Sequence, residues 1–247
     1  MKILLTGATG AIGKEIAKGL TANGHNVILA CRSEWKAASL ASEIKAEYNT
    51  TPDTLMLDLA DSKSVKEAAG KLSHVRLDGI IHNAGVMNGQ YRTGPDGRED
   101  TMNVNYHNTK LLTELLLPAL NDGAGVVFTT SATRTWFPFQ KITDDIPADC
   151  YDRLKAYALS KKLITRYAGH LSEELKGRDI RVNCTDPGVV DTPMLSMGKW
   201  FDPLTDIFFR PFCFKPRRAA KTAIRAVTSN RTGRIFLTPW GSEKIKV

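Results

Sequence analysis

Short apolar runs alternate with longer amphipathic ones along the whole 247-residue chain. Runs rich in Val, Ile and Leu at residues 2–6, 26–31, 54–57, 78–82, 125–130, 181–185 and 234–237 read as strands. Helical spacing of apolar positions marks residues 12–22, 35–47, 63–72, 101–120, 154–175 and 217–228. Strands that are apolar on both sides, separated by helices, call for a parallel sheet covered on both faces. Right-handed crossovers then give a doubly wound α/β sheet, in expected order 3-2-1-4-5-6-7. No repeat or linker interrupts the pattern, so residues 1–247 are expected to form a single domain. Two stretches are more than connectors. Residues 88–99 are polar and glycine-rich, and 198–215 hold Trp200, Phe201, Phe208, Phe209, Phe212 and Phe214. The second follows the sixth strand at its carboxyl end, so a substrate lid is expected at residues 193–215.

Composition narrows the picture slightly. A hydrophobic share of 42% and a charged share of 24% suit an ordinary globular domain. The formal charge of +8 favours anionic ligands such as a dinucleotide. The basic residues are scattered, which reads as solvated surface and gives no case for nucleic acid. Cys31, Cys150, Cys184 and Cys213 lack metal-ligand spacing, so no metal is expected and a reducing compartment is. Residues 1–6 are too short for a secretory apolar region, and no run approaches membrane-span length. The expected location is the cytoplasm.

The chemistry begins at Thr6-Gly7-Ala8-Thr9-Gly10-Ala11-Ile12-Gly13, between the first strand and the first helix. Gly7, Gly10 and Gly13 let the backbone turn sharply and approach a pyrophosphate, while the helix start offers N–H groups to it. After the second strand, where a free ribose hydroxyl usually meets a carboxylate, stands Arg32 instead. A guidinium there suits a 2′-phosphate and favours NADP(H). Asp58, ending the third strand, either receives the adenine amino group or caps the next turn. Tyr157-Ala158-Leu159-Ser160-Lys161 puts a phenol and an ammonium on one helical face. A tyrosine pKa of about 10 must fall roughly three units, about 4 kcal/mol, to work at neutral pH. A neighbouring cation pushes it that way. Tyr151 and Lys155 share this spacing, but Tyr151 follows a polar, proline-containing loop and looks like helix entry.

Thr6–Gly13, Ala30-Cys31-Arg32, Asp58, Asn83-Ala84-Gly85, Val104-Asn105, Thr130-Ser131, Tyr157–Lys161 and Pro187-Gly188-Val189-Val190-Asp191-Thr192 occur in one ordered series. In order and spacing the chain resembles the short-chain dehydrogenase/reductase family, and within it the retinol-dehydrogenase-like group. The resemblance implies a Rossmann-type sheet and NADP(H)-dependent transfer of a hydride between nicotinamide and a carbonyl or alcohol, on a small and apolar substrate. It makes Tyr157 the general acid in reduction and base in oxidation, with Lys161 lowering its pKa and bonding the nicotinamide ribose. Ser131 holds the substrate oxygen, and Asn105 holds a water that links Lys161 to solvent. Thr9, Ile12 and Leu59 join the glycines, Arg32 and Asp58 around the cofactor. Asn83, Ala84 and Gly85 line it, while Pro187, Gly188, Val190 and Thr192 meet its nicotinamide end. The resemblance also implies a homodimer or homotetramer. Three departures stand out: Ala11 where the family usually has glycine, His82 where it has asparagine, and a long gap between Ser131 and Tyr157. A binding-only sensor that keeps NADP(H) without turnover is the rival reading, and the intact Asn105, Ser131, Tyr157 and Lys161 set counts against it. His82 and His107 are expected to be structural.

Overall fold

The computed structural model describes residues 1–138, 141–143, 145–190, 213–239 and 241–245. Eight strands form one sheet: β1 (Lys2–Thr6), β2 (Asn26–Cys31), β3 (Asp53–Met56), β4 (Leu77–His82), β5 (Leu120–Thr129), β6 (Arg181–Asp186), β7 (Arg234–Leu237) and β8 (Ser242–Lys244). Their order is β3-β2-β1-β4-β5-β6-β7-β8. Every pair from β3 to β7 is parallel, and β8 closes the edge antiparallel to β7. The doubly wound order read from the sequence is the one observed.

Alternation along each strand sends neighbours to opposite faces. Leu4, Ile80, Val126 and Val182 pack beneath α3 (Ser62–Lys71), α5 (Asn108–Leu116) and α6 (Arg153–Glu174). Ile3, Leu5, Leu29, Ile81 and Val127 pack beneath α1 (Ala11–Ala22), α2 (Glu34–Tyr48) and α7 (Pro216–Val227). Covering both faces leaves the carboxyl edge of the sheet as the place where loops gather.

Three element boundaries differ from the pattern. The helix expected over 101–120 is a short α4 (Asp100–Met102), a π turn (Asn103–His107) and then α5. Beyond α5, a 3-10 turn over Leu117–Ala119 contains Pro118, which cannot continue a helix. β5 starts at Leu120, five residues early, because Leu120 pairs with Leu77 before the register shifts at Gly79. β8 is short and polar, and carries none of the apolar alternation that marks a strand.

Candidate active site

The loop after β1 is built to leave backbone N–H groups uncovered. Gly7 has φ of 63°, and a Cβ there would lie 2.8 Å from the Ala84 backbone. A side chain on Gly13 would collide with the Gly7 carbonyl oxygen. Gly10 caps α1 without any side-chain hydrogen bond, and both Gly10 and Ala11 are exposed. The first turn of α1 therefore presents free donors and a positive dipole end at the sheet edge. Asn83 does not face this opening with its amide. It donates to the carbonyls of Thr6 and Gly7, each at 3.2 Å, and so braces the loop from the next strand. The backbone N–H groups of Asn83 and Ala84 both donate to the Thr6 hydroxyl at 3.1 Å.

Arg32 is exposed immediately beyond β2, with no carboxylate paired to it among the described residues. Beside that loop lies a cavity of about 150 Å³ lined by Thr9, Lys14, Trp35, Lys36 and Glu43. Lys36, which the sequence did not single out, sits with its Nζ 5.5 Å from the Trp35 ring centroid. At the end of β3, the Asp58 carboxylate accepts from Ala60 N–H at 2.9 Å, the turn-capping arrangement. Leu59 is buried, and Thr9 and Ile12 are half-buried within the phosphate loop.

Tyr157 and Lys161 stand one turn apart on α6, whose N-terminus is capped by Asp152 accepting from Lys155 N–H at 2.8 Å. Lys161 is buried, donates to Thr129 O at 2.8 Å, and lies 5.5 Å from the Tyr157 ring centroid. Ser131 follows β5 close enough to Tyr157 for its hydroxyl to lower the phenol's pKa, and its Oγ accepts from Thr133 N–H at 3.3 Å. A Cβ on Gly85 would lie 3.3 Å from Asn105 Oδ1 and 3.4 Å from Lys161 Nζ. Ser131, Tyr157, Lys161, Asn105 and Gly85 thus converge at the carboxyl edge.

The electrostatics run opposite to the expectation for the tyrosine. Burial pushes the Tyr157 phenol up to about 12, the Asp186 carboxylate adds to the rise, and the Ser131 hydroxyl pulls it back. Burial also brings the Lys161 ammonium down to about 8, against the opposing pull of Cys184 and Asp186. Desolvation disfavours a charge on either group, so both lean toward neutrality. Lys161 donates to the Thr129 carbonyl, with its Nζ 5.5 Å from the Tyr157 ring centroid.

The Asn105 side chain is fully engaged: Oδ1 accepts from Val86 N–H at 2.8 Å, and Nδ2 donates to Val86 O at 2.9 Å and Ser160 Oγ at 3.0 Å. Tyr151 lies outside α6 and donates to Asn88 O at 2.7 Å, which separates it from the catalytic cluster. His82 is buried and stacked on Phe128 at 4.8 Å, and burial lowers its pKa to about 3. Thr113 gives its single proton to Thr109 O, so His82 Nε2 must donate to the Thr113 hydroxyl at 3.0 Å. His82 is a neutral, structural ring.

Beyond β6, Gly188 has φ of 70° and donates to Asp186 Oδ1 at 3.0 Å. Phe214 returns to this loop: its N–H donates to Val189 O at 2.8 Å, and its ring covers Gly188. Pro187 and buried Val190 lie in the same loop. Thr192 and residues 193–212 of the expected lid lie outside the described residues. Sequence reasoning missed Asp186 and Arg134. Arg134 Nη1 donates to Ser131 O at 2.9 Å and pairs with Asp186 at 3.1 Å. Nothing local marks them, because the pair joins loops 52 positions apart.

The short chain dehydrogenase family model matches residues 1–199. The chain belongs to the short-chain dehydrogenase/reductase family, in its retinol-dehydrogenase-like group. Among relatives of this short-chain dehydrogenase, human polyprenol dehydrogenase is 34% identical over 239 residues, covering 92% of the chain and 72% of that protein. Human retinol dehydrogenase 13 is 35% identical over 197 residues, covering 78% of the chain and 60% of that protein. The chain therefore spans under two thirds of the latter's length. A short chain dehydrogenase from Shigella flexneri, solved in complex with NADP, superimposes with a TM-score of 0.77 at 29% identity, covering 96% and 95% of the two chains. Among the described residues no helix of this dehydrogenase is long and apolar enough to cross a membrane.

Proposed function

We propose that the protein is an NADP(H)-dependent oxidoreductase that interconverts a carbonyl and an alcohol on a small apolar substrate. The observation that carries the reading is the convergence of Ser131, Tyr157 and Lys161 beside an uncapped helix start and a bare Gly85. The absent side chains at Gly7 and Gly13 let the loop close tightly on Ala84 and on itself, and Gly10 leaves the exposed start of α1 bare, an opening that fits a pyrophosphate. Arg32, with Lys36 close by in sequence, suits a 2′-phosphate, and support also comes from a relative solved with NADP. When bound, the nicotinamide supplies or receives the hydride.

Reduction of a carbonyl needs a proton at oxygen as well as a hydride at carbon. Ser131 orients the carbonyl oxygen, and Tyr157, held neutral by burial, donates the proton. Lys161, with its pKa near 8, is poised to pass a replacement proton inward. Asn105 fixes Val86 and Ser160 around that route. Gly188 and Val190 border the nicotinamide end, with Thr192 following them. An apolar substrate is favoured by Trp136 and Val189, each 59% exposed on loops leaving the carboxyl ends of β5 and β6. Cysteines left free, with Cys31 and Cys184 buried, support a reducing, cytoplasmic setting, and a homo-oligomer is part of the same proposal.

Titration with NADPH and NADH, followed by cofactor fluorescence, tests the nucleotide site. Preference for NADPH that Arg32→Asp abolishes is expected; preference for NADH overturns the Arg32 assignment. Tyr157→Phe should retain NADPH binding and lose carbonyl reduction, and unchanged turnover would refute the role given to Tyr157.

A further inference from the structure

The turn that follows β3 and the π turn that carries Asn105 meet at one carboxylate. Asp96 Oδ1 accepts from the Ser62 hydroxyl at 2.7 Å and from Ser62 N–H at 3.1 Å. Its Oδ2 accepts from Asn103 Nδ2 at 3.0 Å and Asn108 Nδ2 at 2.8 Å. The same two amides reach back across the gap. Asn103 donates to Ala60 O at 3.1 Å, and Asn108 donates to Leu59 O at 3.0 Å. Asp96 also places a negative charge at the N-terminus of α3, where the dipole favours it. Partial burial opposes that charge, but the donors from Ser62, Asn103 and Asn108 outweigh it and hold the carboxyl far below the usual range.

Asn103 and Asn108 are five residues apart. On a regular α-helix, five steps carry a side chain about 140° beyond a full turn, too far for two amides to serve one oxygen. The π turn removes that mismatch. Asn108 N–H bonds to Asn103 O, five residues back, and Thr109 Oγ1 donates to Val104 O at 2.8 Å over the same span. Asn105 sits in the middle of this wider turn, aimed at Val86 and Ser160. Glu99 secures the approach, its carboxylate accepting from Thr101 and Met102 N–H at 2.9 and 2.8 Å.

We propose that Asp96 is a positioning residue: by gathering Asn103 and Asn108 it holds the chain in the π turn that sets Asn105, and it fixes the 58–62 turn on the adenine side to that same element. The proposal rests on the oxidoreductase reading only for its kinetic consequence. The stretch 88–99 is accordingly a brace between the two halves of the site.

Amide hydrogen exchange on the protein without cofactor tests the structural half. Asp96→Ala should speed exchange across residues 103–109 and at Ser62 by about tenfold, the scale of losing a charged hydrogen bond. Exchange that rises at Ser62 alone, leaving 103–109 unchanged, overturns the proposal. The kinetic half uses NADPH fluorescence titration and decanal reduction in Asp96→Ala, Asn105→Ala and the double variant. Asp96→Ala should weaken NADPH binding and lower kcat, each about tenfold, and its effect on kcat should vanish when Asn105 is already alanine. Losses in kcat that multiply would show that Asp96 does not act through Asn105. If Asp96→Ala fails to fold, Asn108→Ala removes one arm of the same junction and is read by the same two measurements. If the wild type neither binds NADPH nor reduces decanal, the oxidoreductase reading fails, and the exchange measurement alone decides the role of Asp96.

Discussion

Arg134 pairs with Asp186 at 3.1 Å while the same guanidinium nitrogen holds the carbonyl of Ser131 at 2.9 Å. The side chains are 13% and 7% exposed, so the pair lies beneath the site rather than in solvent. Its carboxylate raises the pKa of both Tyr157 and Lys161. Asp186→Asn removes a negative charge near both groups, which stabilises the phenolate and destabilises the ammonium. Both pKa values should fall. Alcohol oxidation, which needs the phenolate, should therefore gain its activity at lower pH in Asp186→Asn than in the wild type. A pH profile of kcat/KM in the oxidative direction measures this, and a shift to higher pH contradicts it. Removing the partner instead, with Arg134→Met, leaves Asp186 buried and uncompensated and should cost about 3 kcal/mol in urea unfolding.

The phosphate loop gives the second prediction. At Gly7 an added methyl meets both a left-handed backbone and the Ala84 main chain at 2.8 Å. The first effect alone costs about 1–2 kcal/mol. The second displaces β4's end, and with it the Asn83 amide that braces the loop. Gly7→Ala should lower the unfolding midpoint and abolish NADPH fluorescence enhancement together. Gly10→Ala, whose Cβ would find its nearest protein neighbour at 3.4 Å, should be far milder in the unfolding midpoint, while its methyl stands in the phosphate opening and still weakens NADPH binding.

Why some of this was legible in the sequence follows from range. Strands such as 26–31 and 181–185 announce themselves because burial on both faces forces continuous apolar runs. Tyr157 and Lys161 are readable because helical spacing alone puts them together. The π turn was not, since its cause is Asp96, bonded to Ser62 across 34 positions, while the local pattern stays that of one continuous helix. Asp186 was likewise hidden, because its partner comes from a different strand end. The upward pull of burial on Tyr157 is hidden for the same reason. A neighbouring lysine is visible in a sequence, whereas the burial that outweighs it is a property of the packed site.

His82 supplies a test of acid stability. Its pKa drops from 6.5 to about 3 on burial, so the unfolded chain takes up a proton that the folded ring refuses. The stability it permits is complete above pH 6.5. It is lost as pH falls from there toward 3, by about 1.4 kcal/mol per pH unit. His82→Phe keeps a ring against Phe128 and removes the titration, and Thr113 retains its bond to Thr109 O. Urea unfolding at pH 6.5 and 4.5 should show the wild type losing about 2 kcal/mol more than His82→Phe over that interval. Equal losses would mean that the ring gains a proton without unfolding.

Lys161 exposes a cost that the site imposes on the fold. The ammonium is buried with Thr129 O as its hydrogen-bond acceptor, and burial lowers its pKa from 10.5 to about 8. Below pH 8 the lysine is charged in both folded and unfolded chains, so the folded state carries the full desolvation penalty. Between about 8 and 10.5 the folded state releases the proton first and the penalty is relieved, by roughly 3 kcal/mol in all. Lys161→Met has no proton to release. The wild type should therefore gain stability relative to Lys161→Met as pH rises from 8 to 10, read by urea unfolding at both values. At neutral pH the variant avoids the buried charge but leaves the Thr129 carbonyl unpaired, which returns about 1–3 kcal/mol of the difference. A variant that is at least as stable as the wild type at pH 7, yet cannot reduce a carbonyl, would show Lys161 retained for chemistry at the expense of stability. A variant much less stable at pH 7, with a difference indifferent to pH, would make Lys161 a packing residue first.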